Sequence, residues 1–118
     1  MALTRFRLCE QDRAQFGGPE WVTFDLGRLV KARAKELELI EEETGHPIAR
    51  LMRAVAGDHS ILGLRMVVWV ARYQSDIRTP FDEFDIHAMQ MDSELVEDQA
   101  EPDVLPLSGS SSPSEAPA

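Results

Sequence analysis

The sequence predicts a mainly α protein: a small antiparallel helical domain with a short N-terminal β ribbon over residues 1–91, followed by a disordered tail over residues 92–118. Three observations predict this organisation. The stretch from Ile61 to Tyr73 is apolar on nearly every side, which is typical of a helix buried by its neighbours. The segments that precede it have helical spacing and end at glycines. No Lys or Arg follows Arg78, although ten acids do, so the acidity belongs mainly to the tail.

Two stretches near the N-terminus alternate apolar and polar residues, which is the pattern of half-buried β-strands. They cover residues 3–8 and 21–26. The polar connection between them ends in Gly17-Gly18-Pro19, a sequence that favours a turn. Because a two-stranded ribbon is marginal alone, its apolar side should pack on the helices. The side chains on that side are Phe6, Leu8, Val22, Phe24 and Leu26.

The spacing becomes helical from about Leu26 to Thr44, which predicts one amphipathic helix. Gly45 follows and suits the left-handed position after a helix end. Three acids at positions 41–43 stand at the C-terminal end, where the helix dipole disfavours negative charge. We interpret them as a solvated acidic face, with a functional role as the less favoured alternative. The inward side chains would be Leu26, Leu29, Val30, Leu37 and Ile40.

A second helix should include Pro47 in its first turn, where the fixed φ of proline is suitable. Its apolar residues recur at i, i+3, i+4 and i+7, opposite two arginines, and Gly57 closes it. These apolar residues are Ile48, Leu51, Met52 and Val55.

The central helix covers Ile61–Tyr73, and either Asp58 or Ser60 caps its start. A buried strand over Met66–Val70 is the competing interpretation, because Val and Trp favour strands. The length of the apolar pattern and the flanking residues favour a helix. Since both connections are short, the three helices should be sequential antiparallel neighbours.

After the central helix, Thr79-Pro80 is predicted to start a short helix or turn. Asp82 stands three residues after the threonine, as in a capping box with Asp in place of Glu. This segment should carry two phenylalanines onto the core and three further apolar residues over it. They are Phe81, Phe84, Ile86, Met89 and Met91.

The sequence contains no arrangement that indicates catalysis or metal binding. His46, His59 and His87 stand in different junctions, with no Cys or His at metal-ligand spacing beside them. The single Cys9 excludes an internal disulfide and is interpreted as a small core residue. We therefore predict a protein that is not an enzyme and that holds no metal or cofactor.

Two local clusters have both a chemical and a plainer interpretation. Asp58-His59-Ser60 contains the residue types of a hydrolase triad, but adjacent side chains cannot form that relay, so a helix start is favoured. The acids at positions 82, 83 and 85 could hold a hard cation together with His87. They lack the glycine of a calcium-binding loop, so a solvated helix face is favoured.

Charge and hydropathy limit the partners. The net charge is -9, and the basic residues are neither dominant nor gathered with aromatics, which disfavours nucleic acid. No apolar stretch reaches the roughly 20 residues that span a bilayer. A single cysteine suits a reducing compartment. We expect a soluble protein that binds another protein through apolar surface left uncovered by its small fold.

Three segments between about Leu37 and Ile86 carry a family resemblance. They read Glu-Glu-Glu-Thr-Gly-His-Pro-Ile-Ala-Arg-Leu from Glu41, Gly-Asp-His-Ser-Ile-Leu-Gly-Leu-Arg-Met-Val-Val-Trp-Val-Ala-Arg from Gly57, and Thr-Pro-Phe-Asp-Glu-Phe-Asp from Thr79. In this order of acidic helix end, Gly-Asp junction and Trp-containing helix, the chain resembles the tail assembly chaperones of long-tailed, siphovirus-type bacteriophages.

The resemblance implies a non-enzymatic role: binding the long helical tape-measure protein during tail assembly and helping to recruit the tail-tube protein. It also implies action in the host cytoplasm, absence from the mature virion, and often a longer frameshift product that shares the N-terminus. A chaperone for a helical client needs an apolar groove and a solubilising charge. The expected client-binding residues are Leu51, Met52, Val55, Leu62 and Met66, with an ordinary core role as the alternative for all five.

The competing function is an acidic decoy or inhibitor that mimics nucleic acid, suggested by the ten acids after Arg78. Such a mimic needs charge on a rigid surface, whereas most of these acids fall in the predicted tail. An enzyme ranks third, because no set of polar residues converges on a site.

Overall fold

The structure is a computed structural model that describes residues 3–58 and 60–96. Over these residues the chain forms three strands, five α-helices and two short 3-10 turns. In chain order they are β1 (Leu3–Arg7), α1 (Glu10–Phe16), β2 (Val22–Asp25), α2 (Leu26–Val30), α3 (Ala34–Thr44), α4 (Ile48–Val55), α5 (Ile61–Gln74), the turns Phe81–Glu83 and Ala88–Gln90, and β3 (Asp92–Val96).

The strands form one antiparallel sheet in the order β2-β1-β3. In the β1–β2 pair Phe6 stands opposite Val22, and both side chains are buried, as the alternation predicts. On the other side β1 pairs with β3, where Arg5 stands opposite Glu94. The predicted ribbon is therefore the larger part of a three-stranded sheet.

The predicted boundary of the tail at Asp92 is wrong, because residues 92–96 form β3. The strand was missed because four of its five side chains are exposed, so it shows no apolar alternation. Its attachment depends instead on backbone pairing and on acids that meet arginines of β1. The remainder of the predicted tail, residues 97–118, lies outside the described residues.

The helix α5 lies at the centre of the fold, and every residue from Met66 to Tyr73 is buried. It packs against β2 and against α4. The predicted central helix is thus confirmed, and the strand alternative is excluded. Ile61, in the first turn, is exposed, although the sequence predicts a helix buried on nearly every side. The buried side chains packed around α5 include Phe6, Leu8, Val22, Phe24, Leu29, Ile40, Leu51, Phe81 and Phe84.

The single helix predicted over residues 26–44 is two helices, α2 and α3, separated at residues 31–33. Gln74 at the end of α5 holds the start of α2. Its side-chain amide exchanges two hydrogen bonds of 2.8 and 3.0 Å with the backbone of Asp25. Its backbone carbonyl oxygen accepts a hydrogen bond from the Arg28 guanidinium. These contacts hold α2 against α5. Tertiary contacts of this kind can outweigh a helical spacing of apolar residues that continues along the sequence. Val30, predicted to face inward, is exposed at the end of α2.

Gly45 ends α3 in the left-handed conformation, with φ 73° and ψ 17°, as predicted. Across this turn the Glu41 carboxylate accepts a hydrogen bond of 2.7 Å from the backbone N–H of Ile48, at the start of α4. One of the three acids at the end of α3 therefore serves the N-terminus of the next helix, where negative charge is favoured. Pro47 is the N-cap of α4 and not its first helical residue, so the helix begins one residue later than predicted.

The segment after α5 confirms the prediction in part. Phe81 and Phe84 are buried, while Ile86 and Met91 pack against the core. Met89 is almost fully exposed, in contrast to its predicted place over the core. The predicted capping box is wrong, because Pro80 is the N-cap of the first 3-10 turn and no side chain caps it.

The helix α1 occupies a stretch that the sequence predicts only as a polar connection. Two side chains explain why it docks. Asp12 is fully buried, and Phe16 packs against the core with its ring 5.3 Å from that of Phe84. With this helix and the third strand, the described fold combines helices with a small antiparallel sheet, so the mainly α prediction holds only in part.

Candidate functional site

An open groove of about 270 Å³ lies where the inner face of the sheet meets α4 and α5. Six of its nine lining residues are apolar, and the other three are Thr4, Ser60 and the acid Asp58. Small-molecule sites usually have about 300–1,000 Å³, so a groove of this size suits one or two inserted side chains better than a cofactor. It is lined by Thr4, Phe6, Phe24, Ala54, Val55, Asp58, Ser60, Leu64 and Val67.

Close approach of α4 and α5 builds one side of the groove. Gly63 makes it possible, because a Cβ atom there would lie 2.7 Å from the Cβ atom of Ala54. The start of α5 is fixed by Ser60, whose hydroxyl accepts a hydrogen bond of 3.0 Å from the Gly63 N–H. Of the two predicted caps, Ser60 is therefore the one that caps α5.

Two exposed apolar side chains neighbour the groove. Leu95 of β3 is 67% exposed and stands opposite Thr4, which lines the groove. Met52 is 36% exposed and precedes Val55 by three residues, so the two lie on neighbouring positions of one helix face. Apolar surface thus extends beyond the groove on both the sheet side and the helix side.

The five predicted client-binding residues divide into two groups. Leu51 and Met66 are fully buried, so they belong to the core and offer no surface to a partner. Met52 is exposed, while Val55 and Leu62 are half-buried against the core. Only Val55 lines the groove itself. Sequence reasoning missed Phe6, Phe24 and Leu64 as groove residues, since alternation identifies a buried face but not a gap in its packing.

The outer face of the sheet is charged and internally paired. Arg5 and Arg7 lie over the Trp21 ring, with guanidinium carbons 4.1 and 4.8 Å from its centroid. Arg5 forms an ion pair with Glu94, and Arg7 with Asp92. The hydrogen bonds that Arg7 donates to Asp92 and to Glu20 raise its pKa. This face is therefore close to charge neutrality and presents no basic patch.

A second cluster joins the start of α1 to the segment after Phe84. The two carboxylate oxygens of Asp12 accept hydrogen bonds of 2.7 Å from the backbone N–H and from Nδ1 of His87. The Cys9 Sγ lies 4.0 Å from the same Nδ1. Burial raises the pKa of Asp12, but hydrogen bonds from His87 and Cys9 lower it by more. The pKa of Asp12 therefore lies below its ordinary value. His87 lies 75 positions after Asp12 and 78 after Cys9, so no local spacing could reveal the cluster.

The cluster is not a nucleophilic triad, because sulfur and carboxylate both face Nδ1 instead of opposite ring nitrogens. Within residues 3–58 and 60–96 it is the one group of three metal-ligating side chains brought together. His87 thus lies with Asp12 and Cys9 and not with the acids at positions 82–85, as the cation alternative required. His59 lies outside the described residues. The triad interpretation of Asp58-His59-Ser60 is therefore not tested by the structure.

In the described ranges no helix has the length and apolarity needed to cross a lipid bilayer. Comparison of the chain with protein-family models, curated proteins and solved structures gives no match.

Proposed function

We propose that this chain is a tail assembly chaperone of a long-tailed bacteriophage. In this proposal it binds the helical tape-measure protein during tail assembly and helps to recruit the tail-tube protein. The proposal is based on the resemblance of residues 37–86 to that family. The structural observation that supports it most directly is the open apolar groove flanked by the exposed side chains of Met52 and Leu95.

The groove has the properties that a helical client requires. A client helix buries apolar side chains spaced at i, i+3 and i+4, and a groove of about 270 Å³ can receive such side chains one or two at a time. Met52 at its margin has a flexible thioether, which adapts to side chains of different shape. If the client presents varied helical segments, adaptable contacts suit it better than one rigid pocket.

The proposal also covers setting and partners. The chain would act without catalysis in the host cytoplasm and would leave the particle before the mature virion forms. A longer frameshift product sharing its N-terminus would carry the same groove, because the groove is built entirely from residues 4–67.

The nucleic-acid decoy is the less favoured function. Of the acids after Arg78, Asp92 and Glu94 are paired with arginines of β1. An acid paired in this way contributes little net field to attract a basic protein. Asp92 and Glu94 therefore contribute little to a negative surface of the kind that a duplex mimic needs.

The test is co-expression of the chain with the tape-measure protein of the same phage. We expect the client to stay in the soluble fraction and to co-purify, at low and at high salt, because apolar burial is screened far less than charge attraction. A client that stays insoluble would overturn the proposal. Binding only at low salt, lost on deletion of residues 97–118, would favour the decoy instead.

A further inference from the structure

We infer that Cys9, Asp12 and His87 form a site for one transition-metal ion with the preferences of Zn²⁺. The site is independent of the proposed chaperone function. It lies on the α1 side of the fold and shares no residue with the groove. Its consequence would be structural: an ion there would tie the segment that leads into β3 to the N-terminal part of the chain.

The geometry is close to that of a bound ion. One candidate ligand atom from each residue lies within 4.8 Å of the other two. Ligand atoms in a tetrahedral zinc site with one sulfur are about 3.3–3.6 Å apart, given the usual metal–ligand distances. The Asp12–His87 oxygen–nitrogen distance of 2.7 Å must widen slightly, and the Cys9–His87 distance of 4.0 Å must shorten slightly. Small side-chain movements would achieve both.

The donor set selects the class of ion. A thiolate, an imidazole and a carboxylate together suit Zn²⁺ or its spectroscopic substitute Co²⁺, whereas Mg²⁺ and Ca²⁺ prefer oxygen ligands alone. Three protein ligands leave the fourth position for water. Solvent reaches that position because the His87 side chain is 44% exposed and Cys9 is partly exposed.

The surroundings of Asp12 provide an independent reason. Its side chain is almost completely buried, and its hydrogen bonds come from His87 and Cys9, of which only the His87 ring can carry positive charge, and only when protonated. A buried carboxylate without a permanent positive partner is unfavourable. A divalent cation would supply that charge. Cys9 is also the N-cap residue of α1 but makes no capping hydrogen bond, so its thiol faces the other two ligands and does not serve the helix.

Binding has a definite proton balance. The Cys9 thiol loses its proton to solvent when it becomes a thiolate ligand. The His87 ring must present unprotonated Nδ1 to the ion, which leaves the ring hydrogen on Nε2. Asp12 gives up the hydrogen bond that it accepts from Nδ1–H and keeps the one that it accepts from the His87 backbone N–H. Affinity should therefore increase with pH.

The experiment uses the full chain, freed of metal with a chelator, and titrates it with Zn²⁺ by calorimetry and with Co²⁺ by absorbance. We expect one ion per chain, a thiolate-to-cobalt charge-transfer band with tetrahedral cobalt bands, and a melting temperature that increases with Zn²⁺. Cys9→Ser should remove the charge-transfer band and weaken Zn²⁺ binding by about tenfold or more. His87→Gln should weaken binding similarly.

Two matched controls keep the result specific. His46→Gln removes the other described histidine, and Asp85→Asn removes an exposed acid two residues before His87; both should bind like the parent chain. The inference is overturned if the parent binds no ion, if Cys9→Ser leaves cobalt absorbance unchanged, or if Zn²⁺ binds only by joining two chains. Circular dichroism of each variant without metal checks its fold, and Cys9→Ser decides the result if His87→Gln unfolds.

Discussion

The indole Nε1 of Trp69 donates a hydrogen bond of 2.6 Å to the carbonyl oxygen of Thr79. This bond links the middle of the central helix to the start of the segment that leads back to the sheet. The Trp69 ring also stacks on Tyr73 and meets Phe81 edge-on, with centroids 5.7 and 6.2 Å away. One buried side chain thus organises both the core and the path of the chain after α5.

Trp69→Ala should destabilise the fold by about 3–5 kcal/mol, as expected for truncation of a large core side chain. Trp69→Phe keeps much of the apolar volume but leaves the Thr79 carbonyl oxygen unpaired, so it should cost about 1–3 kcal/mol. Urea unfolding measures both. Equal stabilities of the parent and Trp69→Ala would contradict the central place of α5.

Gly45→Val should destabilise the protein by about 1 kcal/mol or more, because a β-branched side chain resists the left-handed conformation observed at this position. No atom lies within 4 Å of the position that a Cβ would take, so the effect would come from backbone strain and not from a clash. Gly45→Asn is the matched control, since Asn tolerates this conformation, and it should cost clearly less in thermal unfolding. Equal losses for both variants would indicate a different cause.

Tyr73 should titrate above the ordinary tyrosine pKa of about 10. Burial raises its pKa most, the Glu36 charge raises it further, and the Arg78 guanidinium opposes both. Because the folded state favours the neutral phenol, this contribution to stability is present below about pH 10 and is lost as pH increases through the folded pKa. Tyr73 is the only tyrosine, so phenolate absorbance reports it alone. In Tyr73→Phe the loss of stability above pH 10 should be smaller.

A chain ending at Val96 should keep the stability of the full chain, whereas one ending at Met91 should lose about 1–3 kcal/mol. The second truncation removes β3, and with it the backbone pairing to β1 and the ion pairs of Arg5 and Arg7. Thermal unfolding of the two truncations side by side tests this difference. Equal stabilities would show that β3 contributes nothing to the fold.

Strong periodicity explains what the sequence could predict. The apolar run of α5, the alternation around Phe6 and Phe24, and the left-handed Gly45 each follow from one local rule, and each occurs in the structure. The hydrogen bonds that hold the start of α2 come from Gln74, 46 to 49 residues later in the chain, so no local rule contains them.

The candidate sites show the same limit more sharply. Arg72 reads as a polar interruption of the central helix, yet it is buried and donates hydrogen bonds of 3.0 Å to the carbonyl oxygens of Phe16 and Gly17. Its partners, like those of Asp12, lie far away in the chain. The periodicity of α4 selected both Leu51 and Met52 as binding residues, because helical spacing identifies an apolar face without fixing which edge of it is covered.

Met52→Glu should abolish rescue of the tape-measure client while leaving stability within about 0.5 kcal/mol, as is usual for a surface substitution. The reason is its position: Met52 is exposed on α4 beside Val55, so a carboxylate there would have to be desolvated when an apolar client helix binds. Client solubility on co-expression measures the first effect, and thermal unfolding of the purified chain measures the second.

Two controls separate client binding from other effects of added charge. Met89→Glu places the same charge on an exposed methionine that does not line the groove, so client rescue should persist. Leu51→Glu places it in the core next to Met52, so the chain itself should unfold. Loss of rescue in Met52→Glu with an unchanged melting temperature, together with a fully active Met89→Glu, would assign the client to the α4 side of the groove. Equal rescue by both methionine variants would exclude Met52 from the client surface and leave Leu95 as the side to test.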